Sequence, residues 1–148
     1  MRAVLQVVTN ADVKIDGQIA GEIQNGLLVL LGIGKGDTAE QIKKLADKII
    51  KLRIFDDEDG KKNLSIRDVG GSMLIVSQFT LYWNCKKGNR PSFDNAMPPH
   101  IANELYLDFV YYMKEQGIKV QTGQFGADMK VSLTNDGPVT VVLDTDLL

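Results

Sequence analysis

The chain has 148 residues, of which 44% are hydrophobic and 24% are charged, with a formal net charge of −2 at pH 7. This length predicts one domain with one core, and the charge argues against a broad basic surface that grips duplex nucleic acid. A single cysteine and a single histidine exclude an internal disulfide and a histidine-rich metal site, so we expect neither a metal nor a cofactor.

The first part of the chain predicts an antiparallel hairpin followed by a buried strand. Residues 2–9 and 13–23 have the pattern of strands, with a turn at Asp16-Gly17. The run 26–34 is apolar and bounded by glycines, which is typical of a central strand covered on both faces. The start resembles a strand more than a signal peptide, and no apolar run could cross a bilayer, so we expect a soluble cytoplasmic protein without a membrane partner.

The glycines at and after the end of this run, Gly32, Gly34 and Gly36, lack the spacing of a phosphate-binding loop. Two amphipathic helices are then predicted. The first follows Asp37-Thr38, which supplies its N-cap, and its lysines indicate a solvated face, with contact to RNA phosphates as the alternative. The second opens at Pro98-Pro99, and His100 in its first turn is interpreted as structural or exposed rather than as a catalytic base.

Short strands and turns complete the pattern. The acidic segment 56–62 lacks the ligand spacing of a calcium loop and predicts a hairpin turn. A turn is also expected at residues 135–138. Further strands are predicted at residues 72–78, 120–123, 129–134 and 139–143. Together these elements predict a single α/β domain over residues 1–148, with a largely antiparallel or mixed sheet, or barrel-like sheets, and two main helices packed on one side.

One strand end carries a cluster of hydrogen-bonding side chains. This strand is apolar until Ser77 and Gln78, and Thr80 follows after Phe79. Burying such groups costs free energy unless each has a partner, which indicates a site; a strand that runs out into a polar turn is the alternative. The segment 82–93 then combines aromatic residues with three cations, a mixture that can stack a base and hold phosphates, or form a surface loop with its aromatics in the core.

Four ordered motifs occur along the chain: Ser77-Gln78-Phe79-Thr80-Leu81, Lys87-Gly88-Asn89-Arg90-Pro91-Ser92-Phe93, Thr122-Gly123-x-Phe125-Gly126-Ala127 and Asn135-Asp136-Gly137-Pro138-Val139-Thr140. Together they resemble the D-aminoacyl-tRNA deacylase (D-tyrosyl-tRNA deacylase) family, and the resemblance runs end to end. It implies a homodimeric enzyme that hydrolyses the ester between a D-amino acid and the 3′-terminal ribose of tRNA, releasing both. It also implies removal of glycine mischarged on tRNA.

The resemblance implies how such an enzyme rejects L-amino acids. In the family the Gly-Pro pair, here Gly137 and Pro138, is cis and reaches from one subunit into the active site of the other, where it excludes an L side chain. Met129 is implied as a further substrate-binding residue. Rejection by crowding requires no recognition of a particular side chain, so we expect broad tolerance of D-amino acids.

The catalytic residues implied by the resemblance are Ser77, Gln78, Phe79 and Thr80, with the main-chain amides of Phe79 and Thr80 as donors to the developing oxyanion. Two mechanisms stay open: Thr80 is the nucleophile, or the terminal 2′-hydroxyl of the substrate provides the activation. We favour the second because the sequence contains neither a Ser-His-Asp nor a Cys-His set.

The chain also departs from the family pattern. The family usually has Gln-Arg-Val near its start where this chain has Gln6-Val7-Val8, so a cation expected to brace the Gly-Pro loop is missing. Trp83 and Cys85 lie where smaller or more polar residues are common, and they are expected to alter how the tRNA end enters.

Contacts to tRNA are implied for Lys86, Lys87 and Arg90. Two other functions stay open at this point. One is a catalytically weakened domain that binds the tRNA end. The other is a general small-ester hydrolase that uses Thr80 or Ser77.

Overall fold

Strand β1 (Arg2–Ile15) organises the sheet, because three other strands pair with it in the computed structural model, which describes residues 1–148. Its first half pairs with β3 (Gly26–Gly32) and its second half with β2 (Gln18–Ile23), both antiparallel. The hairpin predicted at Asp16-Gly17 is confirmed. The interruption predicted after residue 9 is wrong, because Asn10 and the residues after it pair with a strand from the C-terminal end of the chain.

The sheet is mixed, as predicted. Strand β6 (Ser72–Ser77) runs parallel to β3, and β7 (Lys119–Thr122) runs parallel to β6, which gives the order β2-β1-β3-β6-β7. Strand β3 is buried on both faces. Two short strands, β4 (Phe55–Asp56) and β5 (Lys62–Leu64), enclose the acidic hairpin turn.

Both helices cover one face of this sheet. Helix α1 (Ala39–Lys51) begins after Thr38, whose side chain accepts from Glu40 N while its own N–H donates to Gln41 Oε1 at 2.8 Å. Helix α2 (Pro99–Glu115) carries a proline in its first turn. None of the helices combines the length and the apolar character that a membrane crossing requires.

Two apolar clusters fill the space on either side of β3 and β6. The larger one lies under the two helices and contains Leu27, Val29 and Ile75. The smaller one contains Leu28 and Leu74 from the opposite face, packed against the second half of β1. The sheet therefore curls back over its own outer face, and the predicted barrel-like α/β domain is confirmed.

The last strand differs from the prediction. β8 (Lys130–Asp144) is one strand that pairs with β1 along its length, where two strands separated by a turn were expected. Val8 pairs with Asn135 and Gln6 pairs with Thr140, so two residues along β1 are matched by five residues along β8. Residues 136–139 consequently bulge out, and the chain continues in the same direction instead of reversing.

Candidate active site

The polar cluster lies where β6 ends and a short 3-10 helix, Phe79–Tyr82, begins. The Gln78 N–H donates to Leu31 O at 2.8 Å, which keeps the chain aligned with β3 just beyond the end of the strand. Trp83 N then donates to Thr80 O at 3.1 Å and closes the helical turn. The predicted residues therefore occupy the carboxyl end of a parallel strand, an edge where ligand sites commonly form in α/β sheets.

Two glycines, at and just after the end of β3, allow this 3-10 helix to pack closely against the strand. A Cβ atom at Gly34 would overlap the ring of Tyr82, and one at Gly32 would lie 3.1 Å from Gln78 O. Only residues without a side chain allow the helix to lie this close to β3. Gly32 and Gly34, which lack the spacing of a phosphate-binding loop, therefore form the surface on which the 3-10 helix with the predicted catalytic residues packs. We call this surface the seat of the 3-10 helix.

Arg2 fixes the other side of the 3-10 helix. Its guanidinium carbon lies 4.5 Å above the centre of the Tyr82 ring, its Nη1 donates to Leu81 O at 3.0 Å, and its Nε donates to Asp144 Oδ2 at 2.8 Å. Burial raises the pKa of Asp144, but hydrogen bonds from the Asp146 amide and from Arg2 outweigh it, so the pKa is lowered. The sequence analysis assigned Arg2 no role.

A cavity of about 260 Å³ opens beside the polar cluster. It brings together residues from two of the sequence motifs and from the start of β8. Its lining includes Ser77, Gln78, Phe79, Phe125, Gly126, Ala127 and Met129. The 77–81 and 122–127 motifs, far apart in sequence, therefore meet at one site together with Met129.

Thr80 has an amide as its hydrogen-bond partner. Gln78 Nε2 donates to Thr80 Oγ1 at 2.5 Å. A carboxamide is not a base in either of its two orientations, so this contact positions the hydroxyl without activating it as a nucleophile. His100, the single imidazole, is exposed in the first turn of α2.

Tyr106 is a supporting residue that the sequence analysis missed. Its hydroxyl donates to Ile75 O at 2.7 Å, and its ring lies 6.1 Å from that of Phe125 in the cavity wall. Burial raises the pKa of Tyr106 to about 12, so the hydroxyl remains a donor across the neutral range. The sequence predicted an amphipathic second helix but no role for Tyr106, because periodicity alone cannot reveal a buried hydroxyl with a carbonyl partner.

The bulge of β8 is held by side chains that flank it. Asn135 Oδ1 accepts from Val139 N at 3.2 Å, and Asn135 Nδ2 donates to Thr140 Oγ1 at 3.1 Å. Between them Gly137 has a φ of +127°, and the peptide bond to Pro138 is cis. Both Gly137 and Pro138 are exposed. Asn135 and Thr140, which belong to the same sequence motif, thus shape the loop that presents Gly137 and Pro138.

Within one chain the bulge does not reach the cavity that contains Ser77. Gly137 lines a different cavity, next to Asn25, and Asn25 O accepts from the N–H of Ser72 at the start of β6. Ser77 lies five residues further along that strand, which is a distance of about 16 Å at the rise of an extended chain. The two halves of the predicted site therefore lie at opposite ends of β6.

Val7 lies at the cavity beside Gly137. Its side chain is buried, with 6% exposed, and belongs to the larger apolar cluster. The neighbouring Gln6 donates through Nε2 to Thr140 Oγ1 at 3.3 Å. The bulge is thus supported by neutral amides in a chain that has no arginine at position 7.

The segment 82–93 is a surface loop with one aromatic side chain packed inward. Asn84 and Ser92 exchange two main-chain hydrogen bonds of 2.9 Å, and the ring of Phe93 lies edge-on to Phe79 at 5.0 Å. The predicted tRNA contacts Lys86, Lys87 and Arg90 are all exposed on this loop. Phe93 therefore joins the cationic loop to the rim of the cavity.

The sequence model of a family described as D-Tyr-tRNA(Tyr) deacylase matches residues 4–144. The chain belongs to this family. The resemblance found in the sequence motifs is thereby confirmed, and so, at the level of the family, is the prediction of an ester-hydrolysing deacylase.

Curated members of the deacylase family resemble the chain over nearly its whole length. A protein of Thermosipho africanus is 61% identical over 145 residues, covering 98% of this chain and 97% of the relative. A protein of Thermotoga petrophila is 53% identical over 148 residues, covering 100% of this chain and 99% of the relative. Both are named D-aminoacyl-tRNA deacylase.

Solved structures show the same fold as this deacylase family member. A c-Myc DNA unwinding element binding protein is 40% identical, with a TM-score of 0.92, over 97% of this chain and 98% of its own. A probable eukaryotic D-amino acid tRNA deacylase is 16% identical, with a TM-score of 0.83, over 96% and 97%. At that lower identity the likeness shows the fold alone.

Proposed function

We propose that the chain hydrolyses the ester of D-aminoacyl-tRNA, releasing the free D-amino acid and tRNA, and that it also removes glycine from mischarged tRNA. The observation that carries this proposal is the cavity at the end of β6, where Ser77, Gln78 and Phe79 meet Met129 in a member of the deacylase family. The relatives' name, D-aminoacyl-tRNA deacylase, supports the same substrate class.

The chemistry is attack of water on the ester carbonyl, with negative charge developing on its oxygen. Phe79 and Thr80 open the 3-10 helix, and the first N–H groups of a helix have no partner within it, so these two amides are suited to donate to the oxyanion. The 2′-hydroxyl next to the ester activates the water, because the partner of Thr80 is the amide of Gln78 and not a base. Attack by Thr80 itself is the alternative.

Chiral selection uses two copies of the chain. The exposed Gly137-Pro138 bulge lies about 16 Å along β6 from Ser77 of its own chain, so it enters the cavity of a second copy. Main-chain carbonyls of the bulge hold the α-amino group of the substrate and leave one direction for its side chain, which an L-amino acid cannot take. Glycine has no side chain to be rejected, so it is hydrolysed as well.

The tRNA contacts of this proposal lie on the loop beside the cavity. Lys86, Lys87 and Arg90 are exposed there, and none of them belongs to an ion pair within the chain. Phosphates of the tRNA 3′ end are the partners that such free cations fit.

The test is deacylation of D-Tyr-tRNA and L-Tyr-tRNA, side by side, by the purified protein. We expect rapid loss of the D ester and retention of the L ester. Pro138→Ala is expected to admit the L ester, whereas Pro99→Ala, an exposed proline at the start of α2, serves as the matched control and keeps the discrimination.

Other outcomes of the same assay identify the alternatives. Binding of tRNA without loss of either ester indicates a catalytically weakened tRNA-end binding domain. Equally fast hydrolysis of simple amino acid esters that lack RNA indicates a general small-ester hydrolase. Either result would refute the proposed function.

A further inference from the structure

A second cavity of about 470 Å³ lies on the far side of the 3-10 helix from the proposed catalytic cavity. Its lining combines aromatic, cationic and amide side chains: Arg2, Tyr82, Trp83, Asn84, Lys86 and Asn95. We propose that this cavity holds the nucleotide that precedes the terminal adenosine of the tRNA, with its base stacked on Trp83. The inference rests on the proposed function and adds a specificity-determining residue to it.

Trp83 has the placement that base stacking requires. Its side chain is 60% exposed although it is a large apolar group, and the main-chain N–H of Trp83 donates to Thr80 O at 3.1 Å. That main-chain hydrogen bond fixes the backbone at Trp83, and so the base of its side chain, relative to the proposed reacting centre. Every nucleobase has a flat face that can stack on an exposed aromatic ring, so Trp83 offers a platform for a single-stranded 3′ end.

The charges around Trp83 fit a phosphate. Arg2 is held in place by Tyr82 and Asp144, and Asp144 offsets part of its charge. Lys86 is exposed and forms no ion pair within the chain. In a protein with a net charge of −2, cations beside an exposed indole favour a ligand that carries both an aromatic ring and an anionic group.

The two cavities lie at opposite ends of the same 3-10 helix. Phe79 lines the proposed catalytic cavity and Tyr82 lines the second one, and these residues are the first and last of the same 3-10 helix. Three residues of such a helix rise about 6 Å, a span that one nucleotide can cover. A tRNA end that places its ester beside Phe79 therefore brings its preceding nucleotide to Trp83.

Substrates of increasing length test this inference. D-tyrosine is esterified to adenosine, to the dinucleotide CpA and to tRNA, and each substrate is hydrolysed by the wild-type protein and by Trp83→Ala. We expect Trp83→Ala to raise KM for the dinucleotide and tRNA substrates about tenfold, leaving kcat and the KM of the adenosine ester unchanged. Trp83→Phe is expected to restore most of the loss, and Leu107→Ala, another exposed apolar side chain, changes none of these values.

A binding measurement separates this inference from the proposed function. Trp83 is the single tryptophan, so its fluorescence reports stacking in the wild-type protein without any turnover. CpA without an esterified amino acid is expected to quench the emission more strongly than adenosine at equal concentration. Equal quenching by both, no quenching, or an equal rise in KM for the adenosine ester would overturn the inference. Quenching by CpA without hydrolysis of any ester would retain the binding site and reject the proposed function.

Discussion

At the scale of single residues, the hydrogen bond between Gln78 and Thr80 supports the proposed activation by the substrate 2′-hydroxyl over attack by Thr80. The sequence predicted that these polar side chains belong to one cluster, because a buried-type strand ending in three hydrogen-bonding residues needs partners for them. It could not show which partner each residue has. The structure gives Thr80 an amide donor, and a hydroxyl in that contact lacks the base that a nucleophile requires.

This contact leads to a prediction about Thr80 and the substrate 2′-hydroxyl. Thr80→Ala is expected to lower kcat by about tenfold through lost positioning, whereas a substrate with a 2′-deoxy terminal ribose loses the activating group and at least a factor of about 100. Single-turnover deacylation of both substrates by both proteins measures these effects. Complete loss of turnover in Thr80→Ala, with substrate binding retained, would instead identify Thr80 as the nucleophile.

The ion pair of Arg2 and Asp144 makes a prediction about pH. The pKa of Asp144 is lowered in the folded protein, so its contribution to stability is complete above the unfolded pKa of about 3.9 and is lost as the pH falls through the folded value. Both side chains are partly exposed, which limits the contribution to about 1 kcal/mol. Asp144→Asn should therefore be less stable than wild type at pH 7 in urea denaturation, and the difference should be smaller at about pH 3. An equal difference at both pH values would contradict this account.

At the scale of elements, the seat of the 3-10 helix shows what local patterns can and cannot reveal. The bounds of β3, β6 and both helices follow from apolar runs, caps and glycines, and α1 begins directly after its predicted N-cap residue Thr38. The role of Gly34 could not be predicted, because Tyr82 approaches it through a contact between parts of the chain far apart in sequence. The continuity of β8 was missed for the same reason, since its pairing with β1 spans the whole chain.

Replacement of Gly34 tests whether this seat positions the site. Gly34→Ala places a methyl group against the Tyr82 ring and displaces the 3-10 helix, with an expected cost of about 1–3 kcal/mol in stability. A shift of about 1 Å at the site is expected to lower kcat by about 100-fold. Gly60→Ala is the control for adding a methyl group without a clash, because no atom lies within 4 Å of a Cβ added at Gly60, although Gly60 has a φ of +74° and Gly34 has no positive φ. Equal activity in the two variants, measured with D-Tyr-tRNA, would show that the seat is not needed for catalysis.

At the scale of the whole molecule, the residues of the proposed site lie at the two ends of β6. The sequence resemblance identified Gln78 and Thr80 as well as Gly137 and Pro138, but a list of motifs contains no distances. In the structure the proposed catalytic cavity forms because β6 and β7 lie side by side and bring Phe125 next to Phe79, whereas the Gly137-Pro138 bulge lies at the opposite end of β6. One chain therefore contains both halves of the proposed site, but its own bulge does not reach its own cavity.

The most direct test of this divided site uses mixed dimers of two variants. One chain carries Gln78→Ala, which is expected to inactivate the pocket of that chain. The other chain carries Pro138→Ala, which alters the bulge of that chain. If each pocket receives the bulge of the other chain, the single working pocket is paired with a wild-type bulge. Purified mixed dimers should then hydrolyse D-Tyr-tRNA at about half the wild-type rate and spare L-Tyr-tRNA. Hydrolysis of L-Tyr-tRNA by the mixed dimers, at the level of the Pro138→Ala protein per working pocket, would show that each pocket uses the bulge of its own chain.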